Sequence, residues 1–199
     1  MKSILKVAIQ GDRASFHEIA AHQYYQQPVR LAYCASFEEV FKQLAHGNVD
    51  KAFVAVENSV HGSISEVYAL LSAHSVSIES YHSLRIEQHL IGLPSASLVE
   101  IDEVLSHPVA LSQCDIYLSV FRQRYHHDTS AAVEYVKKQG DQTLAAVASE
   151  AAAKLHGMKI LRRSIQNDSD NTTIFASISL VENIFGREEA RSQVDECAT

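Results

Sequence analysis

The sequence predicts an α/β protein of two lobes, built mostly on parallel strands. Three observations carry this. Strand-like and helix-like patterns alternate along the chain. Short unbroken apolar runs, Phe53-Val54-Ala55-Val56 and Leu144-Ala145-Ala146-Val147, read as strands buried on both faces. The length of 199 residues and a long alternating stretch at 76–93 fit a chain that crosses to a second lobe and returns near 160–173.

Leu5-Lys6-Val7-Ala8-Ile9 reads as a buried strand that ends at Gln10-Gly11. A helix follows, with Phe16, Ile19, Ala20 and Tyr24 on one face. Ser36-Phe37-Glu38-Glu39 is a capping-box pattern, and Phe37, Val40, Phe41 and Leu44 give its helix an apolar side that Gly47 ends. The strand at 53–56 opens into Glu57-Asn58-Ser59, and a helix over 63–74 turns Ile64, Val67, Leu70 and Leu71 inward. Residues 76–93 alternate as two strands or one long bent strand, closed by Pro94. Val104-Leu105 leads to Ser106-His107-Pro108, with the proline suited to a first helical position. Asp128-Thr129 caps a helix that Gly140 ends. After the strand at 144–147, Ser149 caps a short helix that Gly157 ends. Lys159-Ile160-Leu161 starts the crossing back toward a strand at 173–180.

Composition narrows the function classes. Hydrophobic residues make up 46% of the chain, enough for a real core. The formal charge is −7 and no basic stripe of the kind nucleic acid requires is present. An anionic ligand therefore needs local positive potential. Cys34, Cys114 and Cys197 are odd in number and lack metal-type spacing, which favours reduced thiols in the cytoplasm. The apolar run after Met1 is too short for a signal peptide, and no segment approaches a membrane span.

Ligands of such folds bind at the carboxyl ends of strands. Turns at 57–65, 106–109 and 128–131 fit that place and offer helix N-termini that favour carboxylates. Each turn is equally an ordinary helix cap. Glu57-Asn58-Ser59 sets a carboxyl, an amide and a hydroxyl directly after a buried strand, a costly arrangement unless all are paired. A salt bridge from Glu57 and a turn held by Asn58 explain it as well as a site does. His107 can donate to a ligand, although a lone turn histidine is more often structural. His126-His127-Asp128 offers no third metal ligand, and its adjacent histidines are expected to diverge. Asp168, Asp170 and Asn171 lack calcium-loop spacing. Gln10-Gly11-Asp12-Arg13 lacks the pattern of a phosphate loop. Neither a metal nor a cofactor is expected.

Five segments, in order, resemble the catalytic domain of the prephenate dehydratases: VAIQGDRASFHEIAA, ENSVHGSISEVYALL, SHPVALSQC, AAVASEAAAKLHGMKIL and SIQNDSDNTTIF. The resemblance implies two α/β lobes of periplasmic-binding-protein type II-like architecture, with the site in the cleft between them. Lobe 1 is then 1–80 plus 173–199, and lobe 2 is 81–172. It implies a cofactor-free lyase that converts prephenate to phenylpyruvate with loss of water and carbon dioxide, in L-phenylalanine biosynthesis, as a homo-oligomer, dimer or tetramer. Thr173 would hydrogen-bond the departing hydroxyl, with Glu57 as a relay, and Phe175 would shape the pocket. Asn58, Ser106 and Gln113 would surround the substrate, with Ser59 and Thr129 as carboxylate donors. The family typically has Asn-x-Thr-Arg-Phe at the last motif, whereas this chain has Ile174 at the arginine's place and Ala14 where the opening loop commonly has glycine. Strand alternation turns residue 174 away from Thr173 and Phe175. Arg13 and Arg85 are then the candidate substitute cations. Residues 182–199 are too few and too polar for a regulatory domain. Two rival readings are a decarboxylase that leaves the ring non-aromatic and a non-catalytic small-anion-binding module.

Overall fold

The computed structural model describes residues 4–181. Cys197 and the segment 182–199 lie outside the described residues. Strand β1 (Leu5–Gln10) leads to helix α1 (Phe16–Tyr24), strand β2 (Val29–Cys34) and helix α2 (Phe37–Ala45). Strand β3 (Lys51–Asn58), a short β4 (Gly62–Ser63), helix α3 (Ser65–Ala73) and the long β5 (Val76–Arg85) follow. The chain then enters a second sheet through β6 (His89–Gly92) and β7 (Glu103–Ser106). Helices α4 (Pro108–Ser112) and α5 (Asp115–Leu118), strand β8 (Arg122–Tyr125) and helix α6 (Thr129–Gln139) come next. Strand β9 (Leu144–Ala148), helix α7 (Glu150–His156) and strand β10 (Lys159–Arg162) complete that half, and β11 (Thr172–Leu180) returns to the first sheet.

The first sheet runs β2-β1-β3-β11-β5 with β4 paired to β3, and the second runs β10-β6-β9-β7-β8. Both are mixed, not mostly parallel. Strands β1, β2 and β3 are parallel to one another, as are β7, β8 and β9. The antiparallel pairs come from chain reversals. Strand β11 enters between β3 and β5 against both, and β6 and β10 run against their neighbours. Residues 76–93 are two strands in different sheets, and Lys159–Leu161 is a strand of the second sheet, so the return crossing is 163–171.

Helices cover both faces of each sheet, which is why the central strands are apolar without alternation. In the first sheet, Val40, Phe41, Leu44 and Val67 of α2 and α3 pack on Val54, Val56 and Ile178. On the other face, Ala20 and Ala21 of α1 pack with Val7, Ile9, Phe53 and Phe175. In the second sheet, α6 and α7 cover one face and α4 and α5 the other. Caps end the helices as their residues dictate. Ser36 accepts from the Glu39 N–H, and the Glu39 carboxylate accepts from the Ala35 N–H. Gly140 and Gly157 close α6 and α7 in the left-handed conformation.

The opening loop joins the halves. Ala14 has φ 62°, the region glycine favours, and its methyl group is buried in the core of the second sheet. Its carbonyl accepts from the Ser149 hydroxyl at 2.9 Å, and the Arg13 carbonyl accepts from Ser130 at 2.6 Å.

Candidate active site

A cavity of about 530 Å³ lies between the two sheets. Its walls come from the ends of β1, β3 and β11, the starts of α1, α4 and α6, and the crossing at 86–88. Strand ends facing helix starts form the expected crevice of an α/β fold. Phe16, Phe37, Ile64, Ile86 and Phe175 give it an apolar surface.

Strand β11 sets the cavity floor. Thr173 and Phe175 line the cavity, while Ile174 packs against the α2 side of the sheet. Alternation along the strand produces this division. Phe175 stacks on Phe53 with ring centroids 5.5 Å apart, which fixes its orientation.

Asn58 lies across β3 from Thr173 and is buried. Its Oδ1 accepts from the backbone N–H of Val60 at 3.0 Å and of His61 at 3.2 Å. Its Nδ2 donates to Asn171 Oδ1 at 2.7 Å, Thr173 Oγ1 at 3.0 Å and the Thr172 carbonyl at 3.2 Å. Backbone groups have fixed roles, so they decide which end of this amide is oxygen. The order then propagates. Gln113 Nε2 donates to Asn58 Oδ1 at 3.3 Å, and Gln88 Nε2 donates to Gln113 Oε1 at 3.4 Å. The result is a one-way chain of amides from Gln88 to Thr173. Thr173 receives a hydrogen bond, and among the described residues its own proton has no acceptor. That proton is available to the cavity.

His17 forms the wall beside Phe175, edge-on at 5.1 Å. Its Nε2 accepts from the Ala55 N–H at 3.1 Å, so the ring is neutral with its proton on Nδ1. Burial holds it in that form by lowering its pKa to about 4. His107 also lines the cavity, where its Nδ1 accepts from the Val109 N–H and caps α4. Desolvation lowers its pKa against the opposing field of Asp128. Asp128 caps α6, and its Oδ1 takes the N–H groups of Ser130 and Ala131.

Of the residues singled out in the sequence, the structure brings Asn58, Gln113, Thr129, Thr173 and Phe175 to the cavity. Glu57 does not line it. Strand β3 bulges opposite the step from Ile174 to Phe175, so Ala55 and Asn58 face the cavity and Glu57 lies across from Ile174. Ser59 instead pins the return strand, accepting from the Thr172 N–H and donating its own N–H to the Thr172 carbonyl. Ser106 is buried and donates to the Val147 carbonyl at 2.6 Å, bracing β7 on β9. Arg13 is exposed, and Arg85 is held by the Ser169 carbonyl at 3.0 Å; neither lines the cavity. The rings of His126 and His127 do not diverge, because a loop imposes no alternation; their centroids are 4.4 Å apart. Among the described residues no group of three or more metal-ligating side chains occurs. No described helix is long and apolar enough to cross a membrane.

Sequence reasoning missed His17 and Gln88, and weighed Asn171 by itself only as a calcium-loop residue. Gln88 carried little signal, because it stands inside the polar run Glu87-Gln88-His89 that follows an alternating strand. His17 carried none, because a helical histidine next to an apolar face reads as surface.

Comparison with known proteins identifies related chains. The chain is 36% identical over 180 residues to arogenate dehydratase 2 of Petunia hybrida, covering 89% of this chain and 45% of that protein. It is 33% identical over 181 residues to the bifunctional chorismate mutase/prephenate dehydratase of Escherichia coli K12, covering 87% and 47%. It thus spans about half the length of the curated relatives it matches. Among solved structures, a prephenate dehydratase from Arthrobacter aurescens superposes with a TM-score of 0.80 at 20% identity, over 89% of this chain and 61% of that one. A structure described as GqqA, a novel type of quorum quenching acylase, gives 0.77 at 30% identity, over 88% and 64%. The sequence model of the prephenate dehydratase family matches residues 7–183, and the chain belongs to that family.

Proposed function

We propose that this chain is a lyase that dehydrates and decarboxylates prephenate to phenylpyruvate, the step toward L-phenylalanine. The observation that carries the reading is the unspent proton of Thr173, kept free because Asn58 donates to its oxygen. In the reaction the bond from the ring to its carboxylate breaks and carbon dioxide leaves. The electron pair moves through the diene and expels the hydroxyl at the far side of the ring. That oxygen takes up a proton and leaves as water, and the ring becomes aromatic. Thr173 donates a hydrogen bond to the departing oxygen; a threonine hydroxyl is too weak an acid to surrender its proton outright, so solvent supplies it. Phe16, Phe37, Ile86 and Phe175 offer the ring an apolar surround that favours a neutral departing carbon dioxide. The remaining role of the fold is to hold the ring in one orientation.

The lobe division is proposed to follow the sheets, which moves the expected boundary at 80/81 to 85/86 because β5 runs to Arg85 in the first sheet. The first lobe is taken as 4–85 with 172–181 and the second as 86–171. Buried, unpaired Cys34 and Cys114 suit a reducing compartment, and their thiols are pushed up to about 11 and about 12 by burial. A cytoplasmic location is proposed on that ground, and a homo-oligomer on the family resemblance alone. Product identification after incubation with prephenate tests the reaction. Phenylpyruvate supports it. A non-aromatic keto acid would make the protein a decarboxylase, and binding without turnover would make it a binding module.

A further inference from the structure

Prephenate carries two carboxylates, yet among the described residues no lysine or arginine lines the cavity. The ionisable groups in its walls are four histidines, His17, His61, His107 and His127, and two carboxylates, Glu66 and Asp128. The carboxylates repel an anion. Any positive charge that these side chains offer is therefore a protonated histidine.

The hydrogen bonds of each ring decide which one can take the proton. His17 Nε2 accepts from the Ala55 N–H at 3.1 Å, and a proton there would break a buried bond. His107 Nδ1 accepts from the Val109 N–H, so charging it costs α4 its cap, and burial already opposes the charge. His127 makes no hydrogen bond among the described residues and stacks on His126, so nothing fixes where its charge would sit.

His61 differs from all three. It stands in the turn between β3 and β4, exposed at the cavity wall. Ser112 Oγ spends its proton on the Val109 carbonyl at 2.9 Å and so offers His61 only a lone pair. His61 Nε2 lies 3.4 Å from that oxygen and donates to it. The backbone N–H of His61 is held by Asn58 Oδ1 at 3.2 Å. The residue is thus tethered to the cavity floor through its backbone and to α4 of the second sheet through its ring. An added proton goes to Nδ1 and breaks no bond. Of the carboxylates on adjoining elements, Glu57 does not line the cavity, and Asp115 accepts from the Asn167 amide at 2.7 Å.

We infer that His61 is a substrate-binding residue that takes up a proton as the anionic substrate enters, and so supplies the positive charge that the cavity otherwise lacks. The inference rests on the dehydratase reading of the same cavity, but its test reads binding apart from turnover. Affinity for prephenate then falls as pH rises through the range in which an imidazole loses its proton. Both carboxylates of prephenate stay ionised throughout that range.

The test is titration calorimetry with prephenate at pH 6.5 and pH 8.5, in buffers of unlike protonation enthalpy. The whole chain carries Thr173→Val to slow turnover, and aromatic product from the chain with native Thr173 is followed in parallel. Affinity is expected to fall about fivefold between the two pH values, about 1 kcal/mol, the scale of a solvent-exposed ion pair. The heats are expected to show proton uptake. His61→Gln keeps an N–H for Ser112 without a charge. It is expected to bind about fivefold more weakly at pH 6.5, to change less than about twofold with pH, and to take up no proton. His61→Lys, with a permanent charge, is expected to bind more tightly than native His61 at pH 8.5. Binding that ignores pH, or an equal pH loss in His61→Gln, would overturn the assignment while leaving the dehydratase reading in place. If the Thr173→Val chain does not fold, KM of the native and His61→Gln chains decides by the same ratios. Proton-linked binding without aromatic product would support His61 and sink the dehydratase reading alone. No binding of prephenate at either pH would overturn both.

Discussion

Oδ1 of Asn58 is held by two backbone N–H groups and Nδ2 by one backbone carbonyl, so replacing only the nitrogen reverses a single, known set of bonds. In Asn58→Asp an oxygen would face Asn171 Oδ1, the Thr172 carbonyl and Thr173 Oγ1. Thr173 would then donate to the new carboxylate and its proton would be lost to the cavity. Turnover is expected to fall about 100-fold, the scale of losing one positioned donor, and the melting temperature to fall as well. Kinetics and melting of the purified variant check both. Asn58 was legible as a candidate because a polar triplet after a buried strand is costly unless paired. Its place at the centre of a network that also holds the fold was not, since its partners lie 55 and 113 residues away. His17 supports a second prediction at this scale. Its ordinary pKa of 6.5 is lowered to about 4 in the fold, so the unfolded chain binds its proton first as pH falls. Its contribution is full above about pH 6.5 and is lost as pH falls through about 4, worth about 3 kcal/mol in all. Stability of His17→Gln against denaturant at pH 7.5 and pH 4.5 should fall less with acid than that of the wild-type chain. Equal acid loss in both would remove His17 as the cause.

At the level of elements, the start of α7 shows how a cap can serve two lobes. The Ser149 hydroxyl accepts from the Ala152 N–H at 3.1 Å and donates to the Ala14 carbonyl. Ser149→Ala is expected to cost about 1–2 kcal/mol, since both the cap and the partner of a buried carbonyl go. Chemical denaturation measures it, and a loss below about 0.5 kcal/mol would show that water replaces both bonds. The helix starts were legible because Ser36, Asp128 and Ser149 stand before apolar-periodic runs, and each caps its helix. Strands β2 and β8 were not. Both lie at sheet edges, and all four residues of β8, Arg-Gln-Arg-Tyr, are exposed, so neither shows the apolar run that marks a central strand. The mixed direction of the sheets was hidden for a different reason. A strand's residues record how deeply it is buried, not which way its neighbours run.

Across the whole molecule, the cavity exists because the chain crosses between sheets twice and places Gln88 beside the first crossing and Thr173 after the second. The order of five motifs made the family and the two-lobed fold legible. Local reasoning could not place Arg13, Arg85 and Ser59 relative to the cleft, because a residue's distance from a cleft is set by both crossings together. The substitution of Ile174 for the family's arginine is explained by the dry face it occupies against α2. Among the described residues no lysine or arginine lines the cavity, and the account therefore rests on oriented neutral donors rather than on fixed charge. The most direct test is the rate of aromatic product formation by Thr173→Ser and Thr173→Val. Serine keeps the hydroxyl that Asn58 orients, and valine keeps the shape without it. The account predicts that Thr173→Ser retains activity within about tenfold and that Thr173→Val loses about 100-fold or more while still binding substrate. Near-equal rates in the two folded variants would contradict it.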